Sequence, residues 1–445
     1  MFAESVHWKT KVVVLASLMV TIFSGAVAAR GEVLPEGESS FQGHPADVDK
    51  NWRLVMSEAI AYLAGWQGGS NSMTHAIRAA YLWQNGEGYM FDSAQVPPMC
   101  WMPPDPEEGE PVIVPPELVD VPAGTFQMGD PWNEGVSVEV PVHTVYLDAY
   151  RIGKYEVTNQ EYADVLNWVH GQRYLTNSSG GAYTGGPVYA YGQLIANTEN
   201  SSSSQLIYSD GMFGVRSREG HGGALYSMAV HPVVEVSWYG AVCYCNWLSE
   251  RQGLQPCYDT STWTRFEPVR NGYRLPTEAE WERAAAWDSK GDGRHWRYSM
   301  TNDTIDITRA NYYDWEYTGE FANPLGLTSY PYTAPVGWYN GVNPARVSVP
   351  DTLTKNATSP VGAYDMSGNV WEWCHDWYGA YTSDDETNPL GPSTGTDRIS
   401  RGGSWNPLMS IGYPAVSETR SAMRGWIYPF FRFYEGGFRV VVSVL

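Results

Sequence analysis

The segment Asp365-x-x-Gly368-x-Val370-x-Glu372 has the residue types of a calcium site. It offers two carboxylates and two backbone carbonyl groups within a span of eight residues. Calcium is a hard cation that prefers such oxygen ligands. We therefore predict a calcium ion bound by Asp365, Gly368, Val370 and Glu372.

Two other uses of Glu372 compete with this prediction. Its carboxylate has possible salt-bridge partners in Arg401 and Arg439. With His375 and Asp376 it also has the residue types of an iron site. Adjacent residues on a strand point to opposite faces, however, which disfavours a three-ligand iron centre built from these neighbours.

A second oxygen-rich pattern lies near the N-terminus, where Asp47, Asp49, Asn51 and Glu58 occupy positions 1, 3, 5 and 12 of an EF-hand loop. The segment resembles half of a dockerin-like calcium module. Trp52 stands where such loops need the glycine of the sharp turn. The alternative is a polar cap in front of an ordinary helix pair.

The five cysteines leave at least one thiol unpaired, or none bridged. Cys245 and Cys257 have the spacing for a disulfide across a turn at residues 252–254, and we predict that bridge. Cys243-x-Cys245 has the wrong spacing for a zinc knuckle. No cysteine occurs between Cys374 and Leu445.

The composition is that of a globular, acidic protein. The chain has 445 residues, 43% of them hydrophobic, which is enough for a large core in more than one domain. The formal net charge of −21 disfavours nucleic acid and anionic membranes as partners, since both would be repelled at long range.

The N-terminus has the pattern of a secretory signal peptide, with lysines, an apolar run over residues 12–23 and the cleavage sequence Ala26-Val27-Ala28. The alternative, a membrane anchor, is disfavoured because polar residues interrupt the run. We predict a secreted or periplasmic protein without membrane contact after cleavage. The predicted segments are a signal peptide (1–29), a linker (30–45), a helical dockerin- or EF-hand-like module (46–94), a proline-rich linker (95–120) and the main domain (121–445).

The main domain is predicted to consist of short strands with a few helices. Thr158 with Glu161, and Thr277 with Glu280, have the spacing of capping boxes that begin helices. The runs Thr144–Leu147 and Val233–Val236 predict strands, and residues 170–210 predict a surface insertion. Ser237 is the predicted cap of a third helix.

Two groups of side chains in this domain predict a buried interior. Arg274 is expected to pair with nearby carboxylates on the helix that follows it. Large aromatic side chains dominate cores, so we assign five tryptophans to the core rather than to a ligand surface. They are Trp238, Trp247, Trp281, Trp371 and Trp373.

Five segments occur in an order that resembles the sulfatase-modifying-factor family, whose best known member is the formylglycine-generating enzyme. They are 124–129 (GTFQMG), 155–162 (YEVTNQEY), 231–238 (HPVVEVSW) with 245–248 (CNWL), 273–282 (YRLPTEAEWE), and 368–373 (GNVWEW) leading to 401–405 (RGGSW) and 437–439 (GFR). The resemblance implies a mixed α/β (α+β) fold of the C-type-lectin-like class, with little regular secondary structure.

The resemblance also assigns roles to residues. It implies calcium at Asp365–Glu372 and a second, weaker calcium site that begins at Asn311 and Tyr312. Ser404 and Trp371 match positions that line the family's substrate groove, and Arg401 is the third groove candidate. The two cysteines that bind copper(I) in the enzyme fall on Pro407 and Gly412, neither of which can ligate a metal.

These observations favour an exported, calcium-stabilised member of the family without copper-dependent oxidase activity, which binds a peptide, glycan or protein in the inherited groove. The alternative is a sulfatase-maturation oxidoreductase that uses another metal, such as iron, or another mechanism. The sequence leaves open whether the chain is an enzyme.

Overall fold

A computed structural model describes residue 62 and residues 90–91, 101–102, 113–199, 203–288, 293–314, 320–406 and 415–444. The chain divides into two compact units, Met1–Gly109 and Glu110–Leu445. In the first unit, β1 (Met90–Phe91) pairs antiparallel with β2 (Trp101–Met102). The predicted signal peptide and the EF-hand-like residues Asp47, Asp49, Asn51 and Glu58 lie outside the described residues.

Three larger sheets organise the second unit. The first sheet is antiparallel, with the order β15 (Tyr273–Arg274), β25 (Val441–Ser443), β6 (Tyr150–Gly153) and β3 (Leu118–Val121). The second has the order β21 (Glu386–Thr387), β5 (His143–Leu147) and β4 (Gly124–Met128), in which β21 runs parallel to β5. The third has the order β23 (Arg424–Ile427), β22 (Arg398–Arg401), β20 (Trp371–Trp377) and β24 (Gly436–Gly437).

Short antiparallel ribbons, four α-helices and two 3-10 helices, Ser137–Glu139 and His221–Gly223, complete the described part of this unit. The ribbons are β7 (Pro187–Ala190) with β8 (Gln193–Asn197), β9 (Leu206–Ser209) with β10 (Met212–Val215), β11 (Ser217–Glu219) with β12 (Leu225–Ser227), β13 (Tyr258–Asp259) with β14 (Thr264–Arg265), β16 (Tyr313–Asp314) with β17 (Glu320–Phe321), and β18 (Pro344–Arg346) with β19 (Val349–Leu353). The helices are α1 (Asn159–Gly171), α2 (Trp238–Arg251), α3 (Glu278–Ala286) and α4 (Ala415–Glu418).

The predicted helix starts are confirmed. Thr158 accepts a hydrogen bond from the backbone N–H of Glu161 at 3.2 Å, and Glu161 accepts one from the backbone N–H of Thr158 at 2.8 Å. Thr277 and Glu280 form the same reciprocal pair at 3.2 and 2.8 Å. Ser237 caps α2 by accepting from Gly240 N at 3.1 Å. Each cap satisfies backbone donors that the first helical turn leaves unpaired.

The predicted tryptophan core is confirmed. Trp238, Trp247, Trp281, Trp371 and Trp373 are all at most 1% exposed. Arg274 pairs with Glu280, as predicted, through nitrogen–oxygen contacts of 2.6 and 2.7 Å. Burying large aromatic surfaces supplies much of the driving force for a domain with so little regular structure.

Two expectations about local structure are wrong. Residues 233–236 do not form a strand, because Glu235 has a φ of +60° and the N–H of Val233 bonds to the carbonyl of Val157 at 2.8 Å. Residues 170–210 are not only a surface insertion. They form hairpin strands and bury Tyr183, Val188 and Ile195 in the main core.

The predicted mixed α/β class with little regular structure is confirmed, since short strands outnumber helices throughout the described residues. Among those residues, no helix has both the length and the apolar composition needed to cross a membrane.

Candidate functional site

The carboxylate of Glu372, on β20, is bound by protein groups. Arg439 Nε lies 2.6 Å from Glu372 Oε2, and Arg439 Nη2 lies 2.6 Å from Oε1. Trp281 Nε1 also donates to Oε2, at 2.8 Å. The salt bridge to Arg439 that competed with calcium is therefore present, and it occupies the carboxylate that was expected to bind the ion.

Asp365 lies at the other end of the predicted calcium segment, and its carboxylate has fewer hydrogen-bond partners than that of Glu372. Its Oδ2 accepts a hydrogen bond from Gly337 N at 2.6 Å, whereas its Oδ1 has no hydrogen-bond partner among the described residues. Burial raises the pKa of Asp365 to about 6. A carboxylate with an open oxygen in a buried setting is the kind of group that a cation stabilises.

Glu156, which the sequence did not single out, joins this cluster. Its Oε1 accepts from Asn369 Nδ2 at 3.1 Å, and its Oε2 is buried without a partner. Burial raises the pKa of Glu156 well above its usual range, and nearby Asp365 adds to the rise. Three carboxylates, on Glu156, Asp365 and Glu372, thus share one arginine, Arg439.

The residues fit a hard cation in part. Two open carboxylate oxygens, Asp365 Oδ1 and Glu156 Oε2, lie in an acidic region that one guanidinium does not neutralise. Gly368 has a φ of +89°, and a Cβ there would lie 2.5 Å from the carbonyl oxygen of Asn311, so the tight turn requires glycine. Such an oxygen-lined turn suits calcium.

The second predicted calcium segment contacts the first. Asn311 Nδ2 donates to Tyr332 O at 2.8 Å and to Asn369 Oδ1 at 3.1 Å, and its Oδ1 accepts from Asn323 N at 3.2 Å. Tyr312 is buried. The amide of Asn311 therefore acts as a hydrogen-bond hub that joins the two segments, and its oxygen is already in use.

The three groove candidates are buried. Ser404 Oγ donates to Asn406 O at 2.8 Å, and Trp371 belongs to the core. Arg401 is 0% exposed, pairs with Glu282 and donates to the backbone carbonyl of Ser421 at 2.9 Å. Arg401 therefore holds the third sheet against α3 rather than lining a groove.

An aromatic cluster next to Ser404 has no signal in the sequence motifs and was not predicted. Tyr330 stacks on Tyr434 with ring centroids 5.5 Å apart, and Tyr330 is 40% exposed. The ring centroid of Trp405 lies 5.3 Å from that of Tyr330 and 5.8 Å from that of Tyr434. Asn406 Nδ2 donates to the carboxyl group of Glu435, whose pKa burial raises to about 7. An exposed ring such as that of Tyr330 can stack on a ligand.

The predicted Cys245–Cys257 bridge is absent, since both are free and buried thiols. Cys245 lies on the buried side of α2, while Cys257 Sγ contacts the backbone carbonyls of Arg270 at 3.7 Å and Gln255 at 3.9 Å. Burial raises the pKa of both thiols, which makes them unreactive as metal ligands or nucleophiles.

Pro407 and Gly412, where the resemblance puts the copper ligands, lie outside the described residues. Within the described part of the chain, no group of three or more histidine, cysteine, aspartate or glutamate side chains is arranged to hold a metal ion. A calcium site made largely of carbonyl oxygens would not form such a group.

The sequence is similar to known proteins over most of its length. The model of the sulfatase-modifying factor enzyme 1-like domain matches residues 105–444. The formylglycine-generating enzyme of Thermomonospora curvata is 30% identical over 65% of this chain and 82% of the relative, and that of Bos taurus is 29% identical over 69% and 70%. The serine/threonine-protein kinase pkn1 of Chlamydia pneumoniae is 28% identical over 68% of this chain and 35% of its own.

Among solved structures, the Treponema denticola variable protein 1 is similar, with 25% identity and a TM-score of 0.45. The matched region covers 74% of this chain and 95% of that protein. CarF has 23% identity and a TM-score of 0.45, and covers 75% and 100%. The family match, which spans three quarters of the chain, confirms the predicted formylglycine-generating-enzyme-like fold. The chain belongs to the sulfatase-modifying-factor family.

Proposed function

We propose that this protein is an exported, calcium-stabilised family member that binds a peptide, glycan or protein and does not carry out copper-dependent formylglycine generation. One observation carries the proposal. The turn Arg401-Gly402-Gly403-Ser404 is kept, while no cysteine occurs between Cys374 and Leu445. A binding surface without the two thiolates is the simplest explanation of that combination.

Copper does not fit the donor set of this chain. Copper(I) prefers soft thiolate ligands. The four described cysteines are buried, burial raises the pKa of each thiol, and none lies in the segment that follows Ser404. Pro407 and Gly412 offer no side-chain donor in their place. The described thiols and these two positions therefore support the absence of the thiolate pair on which the copper-dependent oxidation depends.

The aromatic cluster beside Ser404 supports ligand binding. Tyr330, Tyr434 and Trp405 pack together, with Trp405 buried and Tyr330 exposed. Aromatic side chains contribute large contact areas at low entropic cost, which makes them frequent anchors for peptides and other partners.

Calcium would have a structural role. Asp365 and the carbonyl groups of Gly368 and Val370 would bind the ion. The positive charge of the ion would balance the negative charge of the carboxylates around Glu156. Glu372 is excluded from this set because Arg439 and Trp281 already bind it. The predicted signal peptide supports export to a calcium-rich environment.

The test is a copper(I) titration combined with an oxygen-consumption assay on a cysteine-containing sulfatase peptide. The Thermomonospora curvata enzyme serves as the positive control. We expect no oxygen consumption above background and no tight copper(I) binding by this protein. Peptide binding is measured in parallel by fluorescence anisotropy, with Tyr330→Ala as the variant that should weaken it.

Tight copper(I) binding with turnover would overturn the proposal. Turnover together with a different metal, found at stoichiometric level in the purified protein, would instead support an oxidoreductase. If the peptide binds equally well to the wild type and to Tyr330→Ala, the aromatic surface is not the binding site.

A further inference from the structure

A cavity of about 450 Å³ lies where the first turn of α3 meets the end of β20 and the segment after β21, and it shares no lining residue with the aromatic cluster. Its volume is within the usual range for small-molecule sites. Buried polar side chains and apolar residues share its lining. The polar side chains used below are the buried His143, Glu278, Asp376 and Arg424 and the partly exposed Tyr381 and Glu386.

Two of these charged groups neutralise each other. Arg424 Nε and Nη2 lie 2.7 and 2.8 Å from the oxygens of Glu278, and Arg424 also donates to the carbonyls of Val138 and Gly379. Tyr381 Oη donates to Glu278 at 3.2 Å. Glu278 and Arg424 are therefore a satisfied pair, and the guanidinium has little capacity left for an anionic ligand.

Asp376 is not satisfied in this way. Its Oδ2 accepts from the backbone N–H of Glu278 at 2.9 Å, while its Oδ1 has no hydrogen-bond partner among the described residues. The side chain lines the cavity although the residue is only 4% exposed. Burial, and next the charge of Glu278, raise the pKa of Asp376 to about 8, and Arg398 does not offset them.

His143 presents a second open acceptor. Its Nδ1 lies 3.1 Å from the carbonyl oxygen of Pro141, which can only accept, so Nδ1 carries the proton. In the neutral ring, Nε2 is then an acceptor. Among the buried side chains of the lining, the open polar atoms are thus Asp376 Oδ1 and His143 Nε2. The ionised carboxylate and the neutral imidazole both accept hydrogen bonds, and a bound cation favours the ionised form of Asp376.

We propose that this cavity binds a small organic cation that carries a primary ammonium group. The ammonium donates to Asp376 Oδ1 and His143 Nε2, and its apolar body contacts Met128, Ala279 and Leu390. An ammonium has three donors and no acceptor, which matches the open groups. The net charge of −21 favours the approach of cations. This proposal is independent of the aromatic cluster.

The probes are phenethylamine and its neutral isostere 2-phenylethanol, with methylamine as a minimal cation. Each is titrated into the full chain and its dissociation constant is measured by saturation-transfer NMR. We expect phenethylamine to bind about ten- to a hundredfold more tightly than the alcohol, since it alone forms a charged hydrogen bond. Asp376→Asn should lose that preference, because it keeps an acceptor for Glu278 N but adds a donor to the cavity.

Glu386→Gln is the matched control, because it removes a carboxylate at the cavity without touching Asp376. It should change the affinity for phenethylamine by less than about twofold. Should Asp376→Asn fail to fold, Leu390→Trp, which fills the cavity, should abolish binding of all three probes. Equal binding of amine and alcohol, a preference that survives in Asp376→Asn, or no binding of either amine at about 10 mM would overturn the proposal.

Discussion

Glu372 and Arg439 form a two-point ion pair in which both side chains are 0% exposed. The guanidinium also donates to the carbonyl oxygens of Gly153 and Tyr364, each at 2.9 Å. The pair thus links β20 to the end of β6 and to the segment before Asp365. A buried pair with every polar atom engaged is costly to break from one side, because the remaining charge has no partner.

Arg439→Met should therefore destabilise the protein by about 3–5 kcal/mol, since it leaves Glu372 buried and unpaired. The free energy of unfolding, measured by urea denaturation, checks this. Lys154→Met is the matched control, because it breaks the pair with Glu117, which is 61% exposed, and should cost no more than about 1 kcal/mol. Similar losses in the two variants would contradict the role assigned to Arg439.

The thiols of Cys245 and Cys257 should be free in the purified protein. Both are buried and burial raises the pKa of each, so iodoacetamide should modify neither in the folded state. After unfolding in urea without reductant, both should be alkylated, as peptide mass spectrometry will show. A parallel sample with reductant is the control, and labelling that appears only after reduction would restore the predicted disulfide.

Local features of this fold followed from the sequence. The capping pairs at Thr158 and Thr277 span three residues, and Arg274 pairs with a carboxylate six positions away. Such interactions depend on spacing alone. The assignment of the tryptophans to the core depended only on size and hydrophobicity.

Features that depend on contacts between segments far apart in the chain could not be predicted from the sequence. From the sequence, both Arg401 and Arg439 were possible salt-bridge partners of Glu372. The observed partner, Arg439, lies 67 positions away. Glu278 pairs with Arg424, which lies 146 positions away, and no local sequence pattern indicates this ion pair. Glu156 was assigned only to a motif, because its open oxygen is a consequence of tertiary burial. The positive φ of Glu235 likewise has no signal in a run of valines.

Stability should fall as the pH rises because of Asp376. Its pKa is raised from 3.8 to about 8, so the folded state favours the neutral carboxyl. The unfolded chain therefore releases this proton first as the pH rises. The favourable contribution of the protonated Asp376 to the free energy of unfolding is complete below about pH 4. It is lost progressively as the pH rises to about 8.

In Asp376→Asn this dependence should disappear. The difference in unfolding free energy, variant minus wild type, should increase by at least about 1 kcal/mol between pH 5 and pH 8 in urea titrations. Asp351→Asn, on the exposed strand β19, is the control. A difference that stays flat with pH would contradict the raised pKa. The charged and titratable groups around Asp376 are Glu278, Glu280, Arg398, His143, Glu386 and Arg424.

Removal of calcium should destabilise the protein through the carboxylates around Asp365. Without a cation, Asp365 and Glu156 place two open oxygens in a buried region served by Arg439 alone. If calcium is present at about a hundredfold above its dissociation constant, binding contributes about 2.7 kcal/mol. Thermal denaturation in calcium and in EGTA should therefore give a lower melting temperature in EGTA.

Two variants separate calcium binding from general electrostatics. Asp365→Ala should abolish the difference between calcium and EGTA, whereas Asp351→Ala, an exposed carboxylate on β19, should leave it unchanged. Glu156→Gln removes a buried charge, so it should raise the melting temperature in EGTA and reduce the response to calcium. If the wild type melts at the same temperature in both buffers, or Asp351→Ala loses the response as fully as Asp365→Ala, then the carboxylate excess is neutralised by protons on Asp365 and Glu156 rather than by an ion.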